Sequence, residues 1–277
     1  MVNLRLAGAA WFVLTQADRW EWWCYALWFS IVLAALELLS ALTMSFGDGV
    51  FGRTIRVRGK HLDQFETLDV AFVVFNKCTT PLFSYHLVRA AWHGQFVAWH
   101  APTQLSLVPH WLLQWLVVVP LCYVVYDFFY TLFHRSLHHR ALYRFIHKHH
   151  HRQKAPSRGN LDAVNVHPLE FIVGEYLHLL AVYLVGTFVT PVHCVPLLFF
   201  ILFGGVLASL NHTRFDIKAP FFPQVYQVKF HDIHHWYPDA NFGQYTMLWD
   251  HVFGWFKPYP ADKGDTTAVA DAHEKAE

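Results

Sequence analysis

A run of roughly 20 mostly apolar residues can cross a bilayer as a helix whose backbone hydrogen bonds are all internal, and this chain holds several such runs. The first extends from about 20 to 42 and opens on Trp20, Trp22 and Trp23, a residue type that gathers at membrane interfaces. A second covers about 70–92 and a third about 111–133. The apolar stretch 171–210 is interrupted by Pro191 and Pro196, so it predicts two helices meeting at a tight turn rather than one long helix. Hydrophobic residues make up 55% of the 277 positions and charged ones only 15%, too little charge to solvate an ordinary soluble surface. The expected fold class is all-α: a polytopic membrane helical bundle of three spans plus a proline-broken hairpin, forming a single membrane-embedded domain over 1–277.

The remaining segments are read as peripheral. Residues 6–14 form a weaker apolar run after Arg5 without a small-x-small cleavage site, and are expected to lie at the interface rather than to be a signal peptide. Residues 261–277 are polar and alanine-rich with no apolar periodicity, which predicts a disordered tail. Cys24, Cys78, Cys122 and Cys194 stand singly in apolar stretches, disfavour a disulfide framework or thiolate metal site, and are expected in the core. Glu37 falls inside the first span, where a charge is expensive; a protonated acid bonded to a neighbouring helix is the expectation, with no catalytic role.

If the spans alternate, the loop with Arg53, Arg56, Arg58 and Lys60 shares a side with Arg135, Arg140, Arg144, Lys148, Arg152, Lys154 and Arg158. The connector 93–110 and the Pro191 turn, on the other side, carry no lysine or arginine, so the basic side is expected to be cytoplasmic. A formal charge of +1 and the lack of a recognisable binding module give no reason to expect a nucleic-acid partner.

The 21 histidines are the chemical outlier, and many fall in three clusters on that basic side. These are His134-Arg-Ser-Leu-His138-His139, His147-Lys-His149-His150-His151 and His231-Asp-Ile-His234-His235. On a helix, positions i and i+4 lie nearly together and i+3 close by, so each cluster can aim two or three imidazoles at one point. Asp127, seven residues before His134, returns to nearly the same face; it is either a carboxylate that orients a ligating histidine or a helix-end acid beside the basic loop. Imidazoles in such number beside a membrane serve poorly as packing and well as metal ligands. Eight or more exceed what one ion uses, which points to two ions. The His-Glu-x-x-His signature of zinc proteases is absent, and bis-histidine haem binding would place the pairs inside the spans. A histidine-lined metal transporter would likewise need ligands at mid-membrane depth, where the spans hold few.

The third cluster and its continuation, Asn241-Phe-Gly-Gln-Tyr-Thr-Met-Leu-Trp-Asp250, resemble the signature of the sterol desaturase and fatty acid hydroxylase superfamily. So do Phe133-His-Arg-Ser-Leu-His-His139 and Leu142-Tyr-Arg-Phe-Ile-His-Lys-His-His-His151. The resemblance covers about 127–257. It implies an endoplasmic reticulum enzyme in which a cytoplasmic cap on a helical base holds two iron ions, whose two electrons let O2 oxidise a lipid C–H bond. The ligand set it implies is His134, His138, His147, His150, His151, His231, His234 and His235, with His212 in Asn-His-Thr as an additional ligand and His167 in His-Pro-Leu-Glu170 as a weaker candidate. His139 remains an alternative to His138, and His149 is read as lying outside the ligand set. Asp250 is expected to brace the cap, and Trp236 and Trp249 to anchor at the interface or line a substrate cleft.

No haem, flavin or nicotinamide motif is visible, so electrons must come from a separate donor. The resemblance implies cytochrome b5 with its NAD(P)H reductase, for which the basic run 135–158 is a docking face unless it serves topology or lipid headgroups. The implied substrate is a membrane lipid. The tail of the third motif favours a sterol, with desaturation and hydroxylation both open; a fatty acyl, sphingolipid or alkylglycerol hydroxylase is the second reading and a non-catalytic metal- or lipid-binding protein the third.

Overall fold

The computed structural model describes residues 20–57, 59, 62, 64–99, 108–220 and 222–260. The expectations for 6–14 and 261–277 lie outside these residues, as do Arg58, Lys60 and part of the 93–110 connector.

Helix α1 (Trp22–Val50) has 29 residues and is about 43 Å long at the α-helical rise, more than the hydrocarbon thickness. It runs past the predicted end at 42 because nothing in the sequence stops it before Gly52, whose φ of 64° ends the helix. Leu27, Ile31, Leu38 and Leu42 point outward from α1. Its buried residue is Gly47, where a Cβ would come within 2.1 Å of Phe215. Helix α2 (Thr67–His93) starts at a capping box of Glu66 and Asp69 and contains Pro81. A parallel two-residue pair, β1 (Val97–Ala98) with β2 (Val192–His193), ties the far end of α2 to the Pro191 turn.

Helix α3 (Val108–Leu113) passes through a π turn (Gln114–Val118) into α4 (Val119–Leu137). Gln114, buried in that turn, donates to Pro191 O at 3.0 Å and accepts from His193 N at 3.0 Å. After the short α5 (Arg140–Leu142) and α6 (Asn160–Ala163) come α7 (Pro168–Phe188) and α8 (Cys194–Asn211), the predicted hairpin, with Pro191 in its turn and Pro196 in the first turn of α8. Helices α9 (Val228–Trp236) and α10 (Leu248–Phe253) complete the cap.

The protein is a polytopic helical membrane protein. Among the described residues, four helices are long and apolar enough to cross a membrane: Trp22–Val50, Pro109–Leu137, Pro168–Phe188 and Cys194–Asn211. The second expected span is a helix but falls outside these four, because Asn76, Lys77, Thr79, Thr80, Ser84, His86 and Arg89 dilute its hydropathy. One of these residues, Lys77 of α2, is the partner of the Glu37 carboxylate, so the expected bond to a neighbouring helix is made to a basic side chain. The cysteines also depart from expectation: Cys122 is buried, Cys24 and Cys194 half-buried, and Cys78 exposed. On a helix surface that meets lipid, a small apolar thiol does not need a protein core.

Cross-links gather the helix ends beside the histidines. Ile55 N donates to Arg214 O, Asn165 Nδ2 to Asp69, and Gly159 N to His212 O, each at 2.9 Å. Asn76 donates to the carbonyls of Val164 and Val166, both at 2.8 Å. Buried Arg214 pairs with Asp232 of α9 and reaches Ile55 O, locking the segment after α1 to the cap.

Candidate metal centre

Among the described residues, nine histidines converge into two groups, within each of which the ligand nitrogens lie no more than 4.8 Å apart. One group holds His134, His138, His147, His151 and His234; the other holds His150, His212, His231 and His235. The expectation that each motif aims at one point is corrected. The i,i+4 pairs His134/His138, His147/His151 and His231/His235 stay together, whereas His150 and His234, each three residues after a cluster's first histidine, cross to the other group. In the third motif, which lies on α9, the cause is helical geometry: at 100° per residue, i+4 lies about 40° to one side of i and i+3 about 60° to the other; in the second motif His147 ends a π turn and His150 and His151 lie in a 3-10 turn. Both groups therefore draw on the second and third motifs. They abut, with the rings of His151 and His235 5.1 Å apart and those of His147 and His150 5.7 Å apart.

Hydrogen bonds to groups that can only accept fix several tautomers. His134 Nδ1 donates to Phe242 O at 2.8 Å, His234 Nδ1 to Ala240 O at 2.7 Å and His212 Nδ1 to Ala208 O at 2.9 Å. His147 Nδ1 donates to the Glu170 carboxylate at 2.9 Å. In its neutral form each of these rings presents a lone pair at Nε2. Yet His134 Nε2 and His147 Nε2 stand 3.0 Å apart, and His151 Nε2 is 2.9 Å from His147 Nε2. In the second group, His212 Nε2 lies 3.3 Å from His150 Nε2 and 3.1 Å from His231 Nε2. Buried His138 Nε2 and His234 Nε2 have no hydrogen-bond partner. Adjacent nitrogens on one first-row ion with bonds of about 2.1 Å stand about 3 Å apart, so the spacing and the facing lone pairs both suit a cation.

Electrostatics agree. Burial pushes His138, His150, His151, His231, His234 and His235 well below the ordinary histidine range, and repulsion from neighbouring imidazoles pushes them further. They are neutral at pH 7, the form that ligates metal.

The other candidates take different places. His139 caps α5 by accepting from Ala141 N at 3.3 Å and is exposed, so His138 rather than His139 joins the cluster. His149 bonds Asn165 at 2.9 Å and lies 3.0 Å from Asp69, outside both groups. His167 caps α7 through Leu169 N. Asp127 corrects the idea that it orients a histidine: its carboxylate accepts from the backbone N–H groups of Gln244, Tyr245 and Thr246 at 3.2, 3.1 and 2.5 Å. Two helical turns separate it from His134 by about 10 Å along the axis, too far to reach that ring. The carboxylate that does orient a ligand-type histidine is Glu170, whose sequence signal was only its place in the first turn of α7, after His167 and Pro168.

The loop 241–246 joins cap to bundle. Asp250 accepts from Phe242 N at 2.7 Å and Gly243 N at 2.9 Å, bracing the cap as expected, and Asn211 donates to Gln244 O at 2.7 Å. Asn241 adopts a φ of 57° and bonds Phe230 O and Lys257. Trp249 donates to Val124 O at 2.8 Å and packs on Phe128, and Trp236 stacks on Tyr237.

Comparison with known proteins agrees with the motifs. The family model described as fatty acid hydroxylase matches residues 119–255. Among curated proteins, the fatty acid hydroxylase ahd1 of Mycosarcoma maydis is 31% identical over 75% of this chain and 50% of its own length. Lathosterol oxidase of Rattus norvegicus is 36% identical over 51% of this chain and 46% of its own, and methylsterol monooxygenase 1 of Danio rerio is 32% identical over 48% and 44%. The chain spans about half the length of the curated relatives it matches. No solved structure matches it. With three ordered histidine motifs inside the matched region and relatives of both kinds, the chain belongs to the superfamily of sterol desaturases and fatty acid hydroxylases.

Proposed function

We propose that this protein oxidises a membrane lipid with O2 at a two-iron centre held by His134, His138, His147, His151 and His234 on one ion and His150, His212, His231 and His235 on the other. The observation that carries the reading is the pair of lone-pair nitrogens, His134 Nε2 and His147 Nε2, held 3.0 Å apart with their Nδ1 protons committed elsewhere. Zinc would fit the nitrogens but has no redox chemistry; two ferrous ions supply electrons that activate oxygen for attack on an unactivated carbon. The chain's own part is to keep the imidazoles neutral, orient them through Phe242, Ala240, Ala208 and Glu170, and exclude water by burial.

A lipid substrate follows from position. His134 lies in the last turn of α4 and His212 directly follows α8, so the centre sits where apolar helices end. The sterol reading draws on the tail of the third motif and on the relatives named for lathosterol and methylsterol. The second reading, fatty acyl oxidation, draws on the longer match to ahd1. The basic residues on the cap side favour a cytoplasmic orientation, in the endoplasmic reticulum, with cytochrome b5 and its reductase as donor. These belong to one domain over 1–277, with its catalytic region at 127–257.

The test is metal content and lipid products of the purified protein beside His234→Ala, with cytochrome b5, reductase and O2 on mixed sterol and acyl substrates. About two irons per chain and an oxidised lipid lost in the variant are expected. Zinc alone with no oxygen uptake would overturn the reading.

A further inference from the structure

Buried imidazoles need a route to the surface if electrons are to reach them from another molecule, and aromatic rings in contact with one another mark such a route. Phe242 is fully buried, and its ring centroid lies 5.7, 5.3 and 5.5 Å from those of His134, His138 and His234, all in one histidine group. On its outer side it meets Trp255 edge-on at 5.8 Å. Trp255 is half-buried and lines a surface cavity of about 280 Å³ together with Tyr237, Asp239, Phe256 and Lys257.

Charge surrounds the same spot. The Arg135 guanidinium lies over both rings, 5.1 Å from Phe242 and 4.9 Å from Trp255. Lys257 stands 3.7 Å above Tyr237. Arg135, Arg140, Arg144, Lys148 and Lys257 are exposed and, among the described residues, form no ion pair, and no acidic residue interrupts the sequence from 135 to 148. Asp239 is the carboxylate in the cavity wall. Cations arranged beside a partner's path accelerate encounter with an acidic surface and make it salt-dependent.

We propose that Trp255 and Phe242 form the electron entry port of the histidine centre, and that the face carrying Arg135 and Lys257 docks the acidic surface of a one-electron carrier protein. The inference rests on the two-iron reading above and adds where the donor binds and through which side chains it delivers charge. Each encounter oxidises the carrier by one electron and reduces one metal ion by one, with no bond made or broken, so two encounters supply one turnover. The ring contacts favour a redox protein over a lipid headgroup, which would need the cations but not a bridge of rings to the histidines.

The experiment uses the full-length, metal-loaded protein in detergent and follows anaerobic oxidation of the reduced, soluble haem domain of cytochrome b5, with dithionite reduction of the same sample as reference. In Trp255→Leu the ratio of carrier-driven to dithionite-driven rates is expected to fall at least about tenfold, while Trp255→Phe, which keeps a ring, retains most of it. Lys257→Glu and Arg135→Glu are expected to weaken binding of the haem domain several-fold and to flatten its salt dependence. Haem-domain binding is measured on metal-free protein as well, so absence of a reducible metal would sink the two-iron reading while the docking face is still judged. Unchanged rate ratios in Trp255→Leu together with unchanged binding in the charge variants would overturn the port. Charge variants that lose copurifying anionic phospholipid but bind the haem domain as before would make this a headgroup site and overturn it too.

Discussion

His134 Nε2 and His147 Nε2 face each other at 3.0 Å, although Phe242 O holds the one ring's proton at Nδ1 and Glu170 holds the other's. A cation bound between two such nitrogens is held by both, and because the site exists only in the fold, binding it stabilises the folded protein. Loading the chelator-treated protein with ferrous iron is expected to raise its unfolding temperature by several degrees or more. An unfolding temperature indifferent to metal would count against a built site.

Glu170 is the carboxylate that orients His147, and partners of this kind typically contribute 10- to 100-fold to metal affinity. Glu170→Ala is expected to lower metal affinity by about that factor, measured by chelator competition. The loss should be specific to one of the two ions, because Glu170 touches only the group containing His147.

Acid should destabilise the metal-free protein, and the sign follows from the depressed histidines. Unfolded histidines take up protons below about pH 6.5, whereas His138, His150, His151, His231, His234 and His235 refuse them in the fold because burial, then neighbouring imidazoles, hold their pKa values down. Stability is therefore full above pH 6.5 and falls as the pH drops, by up to about 1.4 kcal/mol per unit for each such group. Thermal unfolding between pH 7.5 and 5.5 checks this; a flat profile would mean that the imidazoles are not buried as described.

The 241–246 loop should be intolerant of small changes. Asp127→Asn puts an amide donor where the carboxylate accepts from backbone N–H groups, and Asp250→Asn does the same at Phe242 and Gly243. Each is expected to cost about 1.5–3 kcal/mol of stability, measured by thermal or denaturant unfolding. The loss should come with reduced metal content, because Phe242 O orients His134. Normal stability in both variants would show that these carboxylates do not hold the loop.

Gly243→Ala tests the same loop by sterics. Its Cβ would fall 2.2 Å from Thr246 O and 3.0 Å from Asp250 Oδ2, so the backbone must move and the variant is expected to lose about 1–3 kcal/mol and part of its metal. Wild-type unfolding and metal content in this variant would contradict the packing described.

Local periodicity carried the helices, the proline-broken hairpin and the three histidine clusters, whereas His212 entered only through the family resemblance. Apolar runs make helices by length alone, Pro191 falls in a turn because it cannot continue a helix, and His134 with His138 or His231 with His235 share a face because 3.6 residues make a turn. What the sequence could not decide depended on partners distant along the chain. Which histidines share a group was settled when α4, the 143–152 turns, the end of α8 and α9 met, sending His150 and His234 across to groups their own motifs did not lead. Asp127 serves a loop 117 to 119 residues away and Phe242 serves His134 across 108, distances over which spacing carries no directional information. The sequence determined by short-range geometry that imidazoles would cluster at the ends of membrane helices; tertiary packing alone decided which lone pairs face each other, which carboxylate steadies them and where the cluster approaches the surface.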